Sequence, residues 1–205
     1  MLRHRQVVRS SVSVSLLAFA AAVVCAATAG ADPPSDEELI RPLPVVVPVD
    51  SIWSPKFPFP WEATKDRVTA ADVAAGGEIC QWYTAQYDTL MRQVDRLQFN
   101  RLDGWGSDWN YAIGGVQNQV DIVTANIDQS TAYLAPRAQA LTQFQNYVGD
   151  WYFALYKGDA FYRLWEQLGN VSAGIKGHQP AWFTGPSLQH AKHWGSEINR
   201  SHVCG

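Results

Sequence analysis

The chain has 205 residues, of which 47% are hydrophobic and 17% are charged, and its formal net charge is −3. Without residues 1–31, which contain three arginines and no acidic residue, 13 basic side chains face 19 acidic ones and the formal charge becomes −6. Nucleic acids and anionic membranes are bound through a surplus of Lys and Arg, so this balance argues against both as partners.

Residues 1–31 have the order of features found in a cleavable signal peptide. Three arginines precede an apolar stretch that begins at Val12, and Ala29-Gly30-Ala31 supplies the small residues that a signal peptidase reads. The stretch is short for a spanning helix and lacks a positive flank after it, which favours cleavage over anchoring. Lipidation at Cys25 stays open as an alternative, although two valines precede it where small residues are usual. We expect cleavage before Asp32 and a secreted or periplasmic envelope protein with no stable membrane span.

Residues 32–66 form a proline-rich arm. Eight of the eleven prolines lie between Pro33 and Pro60. Each proline removes a backbone donor and biases the preceding residue to extended geometry, so we predict an extended, polyproline-like chain. The arm also carries large apolar residues that a disordered linker seldom has: Ile52, Trp53, Phe57, Phe59 and Trp61. We expect it to lie along the globular part or to dock on a partner.

Residues 67–205 are long enough for one domain with its own core, and their apolar residues recur with helical spacing. A first helix is expected to begin after Thr69, with Asp72 in its first turn, and to end near Leu102. A second begins at Ser107 or Asp108. Its apolar stripe comprises Trp109, Ile113, Val116, Val120, Val123, Ile127 and Leu134. Pro136 is expected to kink or restart this helix.

Three further segments complete the predicted domain. Apolar spacing over residues 140–155 predicts a third helix. Asp159 is expected to cap a fourth helix that stops at Gly169, and residues 170–186 are predicted to be loop. Ser187 caps the last helix. Because convincing strand alternation is absent, we predict an all-α fold, a bundle of four to five helices with an extended Pro-rich N-terminal arm.

Two cysteines remain after removal of the leader, Cys80 on the first helix and Cys204 near the C-terminus. In an oxidising compartment an even pair predicts a disulfide. Two free thiols, or a metal site shared with histidine, are the alternatives. Neither cysteine belongs to a C-x-x-C pair, so the disulfide is favoured.

The densest chemical signal is aromatic. The run Trp151–Tyr156 is apolar nearly all the way round a helix, and three more rings follow it closely. These rings could form a core helix with their polar ends at the surface. They could instead line a groove for an apolar ligand or a partner segment. This second interpretation assigns ligand binding to Trp151, Tyr152, Tyr156, Phe161, Tyr162 and Trp165, with help from the arm around Trp53–Trp61.

Two other constellations have structural explanations. His190, His193 and Glu197 can share one face of the last helix, but without an H-E-x-x-H pattern we expect a polar face, no metal and no cofactor. Asp103 and Asp108 stand beside two tryptophans and could be the acid pair of a glycan hydrolase, but a turn at Asp103 and a helix cap or first-turn acid at Asp108 are the simpler explanation. Motifs for an activated serine or a phosphate-binding loop are absent from the sequence.

The chain resembles exported helical single-disulfide proteins of mycobacteria and related actinobacteria, and more loosely those linked to siderophore secretion. The residues that carry the resemblance are the leader end Ala29-Gly30-Ala31-Asp32-Pro33, Cys80, Leu134-Ala135-Pro136, Tyr156-Lys157-Gly158-Asp159, Trp165 and Cys204. The proline-rich arm departs from that pattern. The resemblance implies a non-enzymatic accessory role in the envelope and assigns no functional residue.

The sequence thus predicts a secreted, non-catalytic cell-envelope protein, with an accessory role in export implied by the resemblance. Its partner would be an apolar small molecule or an envelope protein, bound through the aromatic-rich region. Two alternatives stay open. One is a cell-wall-active glycan hydrolase that uses Asp103 and Asp108, and the other is a purely structural secreted domain whose aromatic residues are all core.

Overall fold

A computed structural model of the protein describes residues 39–100, 111–112, 114–145, 148–178 and 185–205. Within these residues the arm is followed by five α-helices and one two-stranded sheet. The helices are α1 (Ala70–Trp82), α2 (Asp88–Asn100), α3 (Val116–Ala140), α4 (Gly158–Lys176) and α5 (Pro186–Ser201). The strands are β1 (Gln143–Gln145) and β2 (Trp151–Phe153). The predicted all-α helical bundle is therefore confirmed, while the segment predicted to be a leader, the predicted cleavage site and Cys25 lie outside the described residues.

The first helix begins as its sequence predicts. Thr69 Oγ1 accepts from the Asp72 backbone N–H at 3.1 Å, and the Asp72 carboxylate accepts from the Thr69 N–H at 2.7 Å, which forms a capping box. Thr142 donates to the same carboxylate through its backbone N–H and its hydroxyl. Burial alone would raise the pKa of Asp72, but these hydrogen bonds outweigh it and lower that pKa. One buried acid thus links the start of α1 to the chain after α3.

The core lies between α3 and its neighbours. α3 packs against α1, α2 and α4, and α4 packs in turn against α5. The apolar stripe predicted for this helix is buried in its described part: Val116, Val120, Val123, Ile127 and Leu134. No helix within the described residues combines the length and hydrophobicity that crossing a bilayer requires.

The C-terminal helix is joined to the first helix by a covalent bond. Cys80 and Cys204 form a disulfide with an S–S distance of 2.06 Å across 124 residues, as the sequence predicts. Tyr83 Oη donates to the Gly195 carbonyl at 2.8 Å, and a Cβ at Gly195 would lie 2.0 Å from the phenol of Tyr87. Burial, with the nearby charge of Asp88, raises the pKa of Tyr83 to about 12, so its hydroxyl remains a donor. Only glycine at position 195 allows α5 to lie this close to the Tyr87 ring.

The predicted helix over residues 140–155 is wrong, because a β-hairpin occupies this segment. β1 and β2 pair antiparallel, with Phe144 opposite Tyr152. Gly149 adopts a φ of 91°, in the left-handed region that ends helical geometry. The three consecutive aromatic residues of β2 are also of a type enriched in strands. The apolar spacing of this segment is compatible with a helix, but the glycine in the turn and the strand preference of the aromatic residues favour a hairpin.

Three helix boundaries also differ from prediction. α3 runs past Pro136 to Ala140, without the restart that the proline predicted. α4 continues through Gly169 to Lys176, because Val171 and Ile175 extend its buried stripe and outweigh a glycine penalty of about 1 kcal/mol. Much of the predicted loop at 170–186 is consequently helical. α5 begins at Pro186, which suits a first helical position, one residue before the predicted cap Ser187.

The arm has no helix or strand between residues 41 and 58 and lies against the bundle. Five side-chain amides of the bundle bond to its backbone: Gln81, Gln86, Gln93, Asn126 and Gln129. Asn126 accepts from the Leu43 N–H at 2.9 Å and donates to the Arg41 carbonyl at 2.8 Å. Gln81 exchanges two hydrogen bonds with Val49, at 3.1 and 2.8 Å. We call residues 41–49 and these five amides the arm seam.

A π-turn at Tyr83–Tyr87 joins α1 to α2 and aligns three amides of the arm seam. In a π-turn the hydrogen bonds join residues five apart, which brings Gln81 and Gln86 nearer to one face than a regular α-helix does. Gln93 follows Gln86 by seven residues, or about two α-helical turns. The three amides therefore form a row, along which the arm runs in the direction opposite to the helices.

The second half of the arm covers the disulfide end of the bundle. The Trp53 indole N–H donates to the Val203 carbonyl at 2.7 Å, and Lys56 donates to the carbonyl of His202. A Cβ at Gly76 would lie 2.6 Å from the Trp53 ring, so α1 needs a glycine where the indole crosses it. Of the two roles considered for the arm, the structure shows the one in which it lies along the globular part.

Candidate functional site

The predicted aromatic region lies at a corner where four elements meet: the 3-10 helix Trp61–Arg67, the β-hairpin, the start of α4 and the middle of α5. Thr64 Oγ1 donates to the Ala154 carbonyl at 2.7 Å and so ties the 3-10 helix to the end of β2. A Cβ at Gly158 would lie 2.8 Å from the Cβ of Phe153. The absence of a side chain at Gly158 therefore lets α4 begin directly against the hairpin.

A groove with a volume of about 690 Å³ opens at this corner. It is lined by Trp61, Gln143, Trp151, Tyr152, Phe153, Asp159, Tyr162, Arg163, Glu166 and Trp194. We call this set the aromatic groove. Its volume lies within the range of about 300–1,000 Å³ that small-molecule sites occupy. Six of its ten lining residues are aromatic, and three carry a charge.

The rings of the groove differ in how firmly the protein holds them. Phe153 packs against Tyr162 at a ring-centroid distance of 5.5 Å, and Tyr162 packs against Trp165 at 5.3 Å. By contrast, Trp151 is 64% exposed and Tyr152 is 46% exposed. A base of packed rings thus supports two large aromatic side chains that remain in contact with solvent.

The charges in and beside the groove are arranged unevenly. Arg163 pairs with Glu166 at 2.8 Å on the rim. Beside the groove, Glu197 accepts from Lys157 at 2.7 Å, and this hydrogen bond, with the positive charges of Lys157 and Arg200, lowers the pKa of Glu197. Asp159, in the first turn of α4, belongs to neither ion pair. Of the three charged residues that line the groove, Asp159 is the one without an ion-pair partner among the described residues.

The six residues predicted to bind a ligand fall into three groups. Trp151, Tyr152 and Tyr162 line the groove. Tyr156 and Trp165 are half-buried behind it and support lining rings, with Tyr156 packed edge-on against Trp61 at 5.1 Å. Phe161 is 1% exposed and belongs to the hydrophobic core, because it lies on the inner stripe of α4. A surface ligand has no access to Phe161, and we leave it out of the groove.

Sequence reasoning did not assign several lining residues. Trp61 lies in the arm, which the sequence offers only as an auxiliary contact, and Trp194 lies on the last helix, far from the aromatic run in the chain. Arg163 and Glu166 are ordinary surface residues in the sequence. The one local signal was a tryptophan in each of two segments far apart in the chain, and only the fold brings those segments together.

The other predicted sites can now be placed or set aside. His190 and His193 are exposed on α5, whereas Glu197 is engaged by Lys157 and Arg200. Among the residues with described positions, no three or more His, Cys, Asp or Glu side chains are grouped so as to hold a metal ion. Asp103 and Asp108 lie outside the described residues, and the glycan hydrolase alternative stays a prediction. No protein-family model, curated protein or solved structure matches the chain.

Proposed function

We propose that this protein is an exported, non-catalytic binding protein of the cell envelope. In this proposal the aromatic groove holds an apolar ligand or an apolar segment of a partner protein. The leader-like N-terminus supports export, and the Cys80–Cys204 disulfide is typical of an oxidising compartment.

The exposure of Trp151 within a concave, ring-lined surface carries the proposal. A tryptophan of the core would be buried, and an isolated surface tryptophan would not stand beside Tyr152, Tyr162 and Trp194 around one groove. Grouped exposed apolar side chains mark binding surfaces more often than single ones do. The burial of Trp151 and Tyr152 by a ligand would remove apolar area from water at little cost in side-chain entropy, since aromatic side chains have only two rotatable bonds.

Titration of the mature protein with a neutral solvatochromic dye tests this function. We expect saturable binding that Trp151→Ala weakens by about 10-fold or more, because a central tryptophan contact is worth about 1.4 kcal/mol or more. The stability of this variant should stay within about 0.5 kcal/mol of the native protein, since the side chain is largely exposed.

Phe99→Ala is the matched control. Phe99 is 69% exposed on α2 and does not line the groove, so its removal takes away a comparable exposed ring elsewhere. Dye binding should be unchanged in this variant. The proposal fails if the dye does not bind, or if the two variants reduce binding equally. If the dye binds as expected, native mass spectrometry with envelope lipid extracts and envelope proteins can identify the natural ligand or partner.

A further inference from the structure

The aromatic groove contains one carboxylate that the described protein leaves unpaired. Asp159 is half-buried and lines the groove, and no cation or hydrogen-bond donor of the described residues contacts its carboxylate. The two other charged lining residues, Arg163 and Glu166, pair with each other at 2.8 Å. The groove therefore presents one net negative charge to a ligand.

The position of Asp159 in the first turn of α4 does not remove this charge. An acid is favoured there because the helix N-terminus carries a partial positive charge of about half an elementary charge. That partial charge offsets only part of a full carboxylate charge. The helix terminus also gives no reason for the aromatic surroundings, since an acid in the first turn of a helix needs no rings around it.

The rings at this corner have faces suited to cations. The protein already places Arg67 4.2 Å from the Phe144 ring centroid and Lys157 5.6 Å from that of Tyr156. Tryptophan faces attract cations most strongly of the aromatic side chains. Three indoles line the groove without a cation of the described structure over them: Trp61, Trp151 and Trp194.

We propose that the groove selects a small organic cation with an apolar shell, an alkyl-substituted ammonium. Asp159 would supply the countercharge, and the indoles would contact the alkyl groups through their faces. A metal ion or a strongly hydrated ammonium would gain less, because one unpaired carboxylate among aromatic faces supplies too few oxygen ligands to replace a hydration shell. The ring faces gain most from a cation that carries alkyl groups. This inference rests on the proposed function and names its ligand class.

A pair of probes with the same shape separates charge from apolar contact. Choline carries a trimethylammonium group, and 3,3-dimethylbutan-1-ol replaces that group with a neutral tert-butyl group. Titration of each into the mature chain, followed by the NMR shifts of the indole N–H groups, gives both affinities. We expect choline to bind about 10-fold more tightly than the neutral probe.

Asp159→Asn tests the source of the preference. This variant should weaken choline binding by about 5- to 10-fold and leave the binding of the neutral probe unchanged, because only the countercharge is lost. Asp121→Asn is the control, since Asp121 is an exposed acid of α3 that does not line the groove. Circular dichroism confirms that each variant is folded, and the ratio of the two affinities in the native protein needs no variant.

The outcomes separate this inference from the proposed function. Equal affinities for the two probes, both abolished by Trp151→Ala, would overturn the cation preference and leave the binding groove intact. A choline preference that survives Asp159→Asn would also overturn the inference. A displacement titration with a lysine-containing peptide tests the size of the cation. If the peptide binds more tightly than choline, the assignment to a small cation is overturned. Failure of every probe and of the neutral dye would contradict the proposed function itself.

Discussion

The arm seam and the aromatic groove use their side chains in opposite ways. In the arm seam Gln86, Gln93 and Asn126 are at most 4% exposed, and each has a hydrogen-bond partner on the arm backbone. In the groove Trp151 and Tyr152 are exposed and Asp159 is unpaired within the described residues. The seam is a surface that the chain fills with its own residues, whereas the groove is a surface that the described residues leave open.

This contrast shows why residue type alone is a poor guide to function. A row of side-chain amides can form hydrogen bonds with the backbone of any extended peptide, so it would suit a peptide-binding site. Here the row binds residues 41–49 of the same chain. Removal of a seam residue should therefore lower stability and leave ligand binding intact. Removal of a groove residue should weaken ligand binding and leave stability nearly unchanged.

The largest expected effect is the loss of the Cys80–Cys204 disulfide, at the end of the bundle that the second half of the arm covers. Replacement of both Cys80 and Cys204 by serine should lower the free energy of unfolding by about 2–4 kcal/mol, because the bridge closes a long loop and restricts the unfolded chain. Urea denaturation measures this difference. Reductant should destabilise the native protein to a similar extent and leave the double variant unchanged. A double variant as stable as the native protein would show that the disulfide does not stabilise the fold.

A smaller loss is expected from the centre of the arm seam. Asn126→Ala removes the acceptor for the buried Leu43 N–H and the donor to the buried Gln93 side-chain carbonyl. It also removes one of the two donors to the Arg41 carbonyl, which keeps its hydrogen bond from Gln93. We expect a loss of about 2 kcal/mol in unfolding free energy with dye binding unchanged. Asn118→Ala, at an exposed position of the same helix, should change stability by less than about 0.5 kcal/mol. If dye binding fell along with stability, the seam and the groove would not be independent.

The smallest effect is a pH dependence at Asp72. Because its folded-state pKa lies below the unfolded value of about 3.9, the charged carboxylate stabilises the fold above that pH and loses this contribution as the pH falls through the folded-state pKa. Asp72→Asn should cost about 1 kcal/mol at pH 7 through the weakened capping box. It should also flatten the loss of stability below about pH 4. Unfolding free energies measured from pH 7 to pH 2 test this, and an unchanged acid slope would contradict it.

Helices whose ends and stripes are local were predictable. Thr69 and Asp72 are three residues apart, so their capping box is visible in the sequence, and the stripe from Val116 to Leu134 follows directly from helical spacing. The hairpin was not predictable in this way, because its short apolar run is compatible with a helix or a strand, and the positive φ of Gly149 is seen only in the structure. Gly169 does not end α4, because the burial of Val171 and Ile175 against other elements outweighs the low helix propensity of glycine.

Spacing within a segment is enough to predict the helical class, the first cap and the buried stripe of α3. The pairing of Cys80 with Cys204 follows from the even cysteine count that remains once the predicted leader is removed. The division of the aromatic residues between core and surface, by contrast, depends on how the helices pack. Phe161 and Tyr162 are neighbours in the chain, yet the packing of α4 buries the first and turns the second into the groove. Trp61 and Trp194 join that groove through long-range packing, and no local pattern records such contacts.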